Sequence, residues 1–148
     1  MALSDPIARL NELIQGIELA ILSTVRPDSS VHSCPMAVGS ADGSGAFWLL
    51  AGDNSEKVEA VRTAPRVNLC FAAPAANRYV SVSGFCELMR DHNMIKELWH
   101  SDYKSWFPGG AEDPTLVLMK IVVEEAEYWD PSQCRMVLLT GFNPAAIL

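Results

Sequence analysis

The sequence predicts a mainly β fold, an antiparallel sheet closed into a small barrel with helices around its periphery. Three observations carry this prediction. About seven stretches of strand character follow one another through short turns. Only two or three segments carry a helical period. The chain of 148 residues, 49% hydrophobic and 20% charged, is long enough for a proper core and reads as a single domain over 1–148.

Each element has its own signal. Ser4-Asp5-Pro6 is a helix start, and Ile7, Leu10, Leu13, Ile14 and Ile17 form one apolar stripe, so a helix is expected over 5–17. Glu18 to Arg26 is aliphatic and β-branched and reads as a strand. Pro27 to Ser30 is turn chemistry, and Val31 to Val38 returns as a second strand. Pro35 cannot donate to a ladder, so this strand lies at an edge or is bulged there. Phe47 to Leu50 is a third strand, followed by a helix over 54–63 with Asn54 and Ser55 as caps.

Val67 to Ala72 and Tyr79 to Leu88 are further strands. In the second, Val80 and Val82 face one way, with Tyr79, Ser81 and Ser83 opposite, and Gly84 marks a bulge or tight bend. Asp91 caps a helix carrying Ile95, Leu98, Trp99, Tyr103 and Trp106, ended by Pro108-Gly109-Gly110. Thr115 to Val123 and Ala126 to Trp129 read as two strands separated by Glu124-Glu125. Beyond Pro131, Met136 to Leu139 offers one more edge strand.

Composition excludes some functions. A net charge of −7 argues against nucleic acid and anionic membrane as partners, since both need clustered Lys and Arg. No apolar run approaches a membrane span, and the N-terminus lacks a signal peptide's apolar centre, so the expected location is cytoplasmic. Cys34, Cys70, Cys86 and Cys134 have no short paired spacing, and His32, His92 and His100 are scattered. No metal site is therefore expected, and all four cysteines read as reduced thiols. Cys70 and Cys86, in apolar runs, are expected to be buried. No nucleophile–base pair or paired carboxylates indicate a hydrolase, and no catalytic residue is assigned.

The stretch FWLLAGDNSEK, Phe47 to Lys57, carries the most chemistry. A strand feeding a helix through small residues presents free N–H groups and the positive end of the helix dipole, which suits a phosphate. Lys57 in the first turn is electrostatically misplaced unless an anion lies nearby.

In order, LSTV (Leu22 to Val25), HSCPM (His32 to Met36), FWLL (Phe47 to Leu50), SEK (Ser55 to Lys57) and PRVNLCF (Pro65 to Phe71) are followed by four further motifs. These are YVSVSG (Tyr79 to Gly84), ELW (Glu97 to Trp99), WFPGG (Trp106 to Gly110) and AEYWD (Ala126 to Asp130). Together they resemble the general-stress-protein branch of the pyridoxamine 5'-phosphate oxidase-like family over residues 19–130. The resemblance implies an antiparallel split β-barrel of the FMN-binding type, a homodimer, and FMN held at the subunit interface. His32, Ser33, Cys34, Pro35 and Met36 would run beside the flavin ring, with Tyr79 as a further polar group near it. Leu50, Ala51, Gly52, Ser55 and Lys57 would form the phosphate turn. Trp106 and Phe107 would reach the flavin from the partner, or else anchor the core.

Three positions depart from the family's pattern: Cys34 where Arg is common, Ala51 where Thr is common, and Glu56 where a basic or neutral residue is common. They remove a guanidinium and a hydroxyl from the expected site and add a negative charge. The leading reading is an FMN-binding, flavin-dependent oxidoreductase with a stress-related role; FAD, haem and deazaflavin stay open as ligands. The alternative is a non-catalytic stress or interaction protein that keeps the dimeric barrel with weak or no flavin binding. Oxidation of pyridoxamine 5'-phosphate itself is not expected, because Arg135 is the only cationic side chain after Asp130.

Overall fold

The computed structural model describes residues 5–142. Asp5 caps helix α1 (Pro6–Ile14) by accepting the Ile7 N–H, and Pro6 opens the first turn. The helix stops at Ile14, short of the expected residue 17, and Gly16 turns the chain at φ +83°. Ile17 still packs against the core. Strands β1 (Leu19–Val25) and β2 (Val31–Ala37) then form a hairpin in unbroken register. Strand β3 (Ala46–Gly52) leads to helix α2 (Glu56–Thr63), and β4 (Arg66–Ala73) and β5 (Arg78–Met89) follow.

The expected long helix after Asp91 is shorter. Helix α3 (His92–Leu98) ends at Trp99, and a 3₁₀ turn, Ser101–Ser105, carries the chain on to Trp106. Strand β6 (Leu116–Asp130) is one element rather than two. The expected break at Glu124-Glu125 is a bulge: Ser83 pairs with Glu125 and Gly84 with Val123, leaving Glu124 as the extra residue. Gly84 is required there, since a Cβ would lie 2.4 Å from the Val122 carbonyl oxygen. Strand β7 (Arg135–Leu139) pairs with the end of β6, as the tail's apolar residues predicted.

All pairings are antiparallel, in the order β2-β1-β4-β5-β6-β3, with β7 beside β3 along β6. The sheet is not closed: β2 and β3, its two ends, share no ladder. This is a split barrel, so the closed barrel read from strand count gives way to an open seam. Pro35 lies on β2 at that edge, which settles the edge-or-bulge choice.

The main core fills the barrel with Leu22, Phe47, Leu69, Phe71, Val82 and Met119, closed by α1 and α2. β3 is buried on both faces. Phe47, Leu49 and Ala51 enter the main core, while Trp48 and Leu50 face a second cluster with Ile95, Leu116, Leu118 and Trp99. An uninterrupted apolar run such as AFWLLAG is what a strand covered on both sides requires. Cys70 corrects the expected burial: Leu69 and Phe71 point inward, so alternation along β4 leaves Cys70 exposed. Cys86 is buried, and desolvation pushes its thiol pKa up to about 12.

Candidate functional site

A cleft of about 330 Å³ lies across the open seam, a volume within the usual range for small-molecule sites. Met36 and Ala37 from the end of β2, and Gly39 and Ser40 from the following loop, form one side. Trp48 and Leu50 of β3, with Leu98, Tyr103, Trp106 and Phe107, form the other, and Lys57 enters from α2.

The loop joining the two seam strands is fixed from two directions. Asn11 on α1 clamps Ala41, donating to its carbonyl at 2.9 Å and accepting its N–H at 2.8 Å. Asp42 Oδ1 accepts from the backbone and hydroxyl of Ser44, and its Oδ2 accepts from Trp48 Nε1. The aromatic wall is also interlocked. Trp99 meets Tyr103 edge-on at 5.9 Å and Phe107 at 6.4 Å, and Lys120 Nζ lies 5.4 Å from the Trp48 ring centroid. Trp106 remains 44% exposed at the rim.

Of the residues singled out in the sequence, Met36, Leu50, Lys57, Trp106 and Phe107 line this cleft. The others are not in its lining. His32, Cys34 and Met36 share the inward side of β2, while Ser33 and Pro35 face outward. Ser33 meets Ser23 at 2.7 Å between hydroxyl oxygens. Ala51 is buried in the main core, and Gly52 ends β3. Tyr79 faces outward from β5 with Ser81 and Ser83.

Ser55 precedes α2 but does not cap it: its hydroxyl donates to the Gly52 carbonyl at 2.7 Å. The first-turn amides of α2 therefore have no side-chain acceptor from the expected cap. Sequence reasoning missed Ala37, Gly39, Ser40, Trp48, Leu98 and Tyr103 as lining residues. The continuous apolar run around Trp48 was the one signal available, because it implied a second covering layer.

The charges are unevenly distributed. Glu56 accepts a hydrogen bond from Arg26 Nε, and His32 Nε2 lies 3.5 Å from its other oxygen. The Arg26 hydrogen bond, opposed by slight desolvation, holds the Glu56 carboxyl below its ordinary pKa. His32 Nδ1 is buried without a partner, so in the neutral ring the proton belongs on Nε2, toward Glu56. Among the described residues, Lys57 makes no ion pair within 4.0 Å. Burial pushes the Cys34 thiol pKa up, Lys57 pulling it down and Glu56 adding to the rise, so this cysteine is no ready thiolate. Among the described residues no three His, Cys, Asp or Glu side chains group as metal ligands would.

A sequence model of the family described as pyridoxamine 5'-phosphate oxidase like matches residues 5–147. The chain belongs to that family. A solved structure, General Stress Protein 26 from Bacillus anthracis str. Sterne, is 25% identical with a TM-score of 0.74, covering 90% of this chain and 98% of that one. The fold also matches a heme binding protein from Mycobacterium smegmatis, 15% identical, TM-score 0.71, covering 95% of this chain and 60% of that one. It matches an F420 reductase too, 20% identical, TM-score 0.61, covering 78% and 94%. Among curated proteins, protein bli-3 of Neurospora crassa is 25% identical over 95 residues, which is 57% of this chain. The match spans under half of that relative, 46% of its length.

Proposed function

We propose that this protein is an FMN-binding flavoprotein with flavin-dependent oxidoreductase activity, acting as a homodimer in a stress-related role. One observation carries the reading: among the described residues, the aromatic and aliphatic lining of the cleft includes one cation, Lys57. A planar apolar ring with an anionic tail is the ligand chemistry this arrangement fits. Trp48, Leu50, Tyr103 and Phe107 would cover the ring and exclude water. Lys57 and the first-turn amides of α2 would hold the phosphate. When bound, the flavin supplies hydride or single-electron transfer, and the protein supplies binding and orientation. The relatives described as an F420 reductase and a heme binding protein support a large ring ligand for this fold.

Dimerisation is supported by the outward face of β1 and β2, where Leu19, Ile21 and Val31 are 52%, 44% and 65% exposed. Exposed Trp106 at the cleft rim is also suited to meet a second subunit. Four free thiols suit a reducing compartment, which supports action in the cytoplasm.

The test is the visible spectrum of the purified protein, alone and titrated with FMN. A two-banded flavin absorption, with quenched flavin fluorescence on binding, is the expected result. A haem Soret band, or no change on adding FMN, would overturn the proposal.

A further inference from the structure

Within the flavin reading, the ion cluster beside the cleft decides which end of the ligand is favoured. Lys57 reaches into the cleft, whereas its neighbour Glu56 turns away to Arg26 at the end of β1 and to His32 on β2. The two residues are consecutive in the first turn of α2. Glu56 meets His32 while Lys57 shares the cleft with Met36, and His32 and Met36 lie on the same inward side of β2. Neighbours in one helical turn place the Glu56 carboxylate on the order of one Debye length, about 10 Å at 0.1 M salt, from an anion held by Lys57, so screening between them is incomplete. Arg26 is occupied by Glu56, so it supplies no net positive charge to such an anion. Counting Arg26, Glu56 and Lys57, the neighbourhood offers one net positive charge to a group that carries nearly two negative ones.

We propose that Glu56 is a charge filter: it lowers the preference of this cleft for a phosphate-bearing flavin over the same ring without phosphate. The inference rests on the flavin reading above, and its ligands are FMN and riboflavin. They share the isoalloxazine ring and ribityl chain and differ at the phosphate, so the ring contacts cancel in the ratio of their affinities. Glu56→Gln keeps the shape and a carbonyl acceptor for Arg26 while removing the charge. Arg26→Gln does the opposite, leaving Glu56 uncompensated.

The experiment is a fluorescence titration of wild type, Glu56→Gln and Arg26→Gln with each flavin, with the melting temperature as a folding control. Glu56→Gln should tighten FMN roughly five- to thirtyfold, the effect of removing one charge near a dianion at an effective dielectric constant between water and protein surface. Riboflavin should change less than about twofold. Arg26→Gln should weaken FMN and again leave riboflavin alone. If both flavins shift together, or if FMN does not respond to either variant, the filter is refuted while the flavin reading stands. If neither flavin binds any of the three proteins, the flavin reading fails and the inference with it.

Discussion

Trp48 Nε1 donates a 2.8 Å hydrogen bond to Asp42 Oδ2, tying a ring of the cleft wall to the turn that joins the two seam strands. Desolvation pushes the Asp42 carboxyl up, but the donors from Ser44, Trp48 and Ala46 outweigh it and hold its pKa below the ordinary value. A depressed folded pKa stabilises above the unfolded pKa, about 3.9, and that stabilisation is lost as pH falls through the lower folded value. Asp42→Asn should cost about 1–3 kcal/mol at neutral pH. Its gap from wild type in melting temperature should narrow below about pH 4. A gap of constant size on acidification would show that the charge of Asp42 contributes nothing.

Lys57 is the cation that the cleft offers to an anion. Lys57→Ala should raise the dissociation constant for FMN roughly ten- to a hundredfold, the loss of one charge-assisted contact. The melting temperature should hold, because a lysine in the first turn is disfavoured by the helix dipole. An unchanged affinity in a protein that binds FMN would put the phosphate elsewhere.

Two tryptophans in one segment should behave differently. Trp99 packs against Tyr103 and Phe107 and belongs to the second cluster. Trp99→Ala should therefore cost about 3 kcal/mol in unfolding free energy. Trp106 lies exposed on the rim. Trp106→Ala should cost under about 1 kcal/mol of monomer stability while weakening FMN. Denaturant melts paired with FMN titrations separate the two; equal destabilisation would contradict the division.

Gly84→Ala should destabilise by roughly 2–3 kcal/mol, a fall of about 5–10 °C in Tm, as the added methyl meets the Val122 carbonyl. A variant as stable as wild type would mean that the bulge can shift to accept it.

Ile21 sits on the outward face of β1, opposite Pro35 on one side and exposed Cys70 on the other. Sedimentation equilibrium at micromolar concentration should give the dimer mass, and Ile21→Asp should shift it toward the monomer. Only the monomer mass for wild type would rule out the homodimer.

The reach of the sequence followed the range of the forces involved. Asp5 acts through its carboxylate on an N–H two residues on, and Gly84 and Pro35 through their own backbone, so cap, bulge and edge were readable locally. Lys57 was readable because a cation at a helix start conflicts with the dipole. The role of Trp48 was not, because its second covering layer comes from Leu98, Trp99 and Phe107, some fifty residues away. Glu124-Glu125 looked like a gap between strands because nothing local shows that Glu124 meets Arg66 across the sheet as the extra residue of a bulge. The closed barrel failed for a related reason: strand count does not say which two neighbouring strands, here β2 and β3, meet without pairing to each other.

Pro35 on β2 has a further effect. An unpaired strand edge is a template onto which another chain can add, the usual start of strand-mediated aggregation. The β1–β2 register runs unbroken through Pro35, so its missing N–H falls on the side away from β1, toward the seam. The proline thus interrupts the row of donors that an invading strand would need. The seam edge is open in shape but blunted as a template for strand addition.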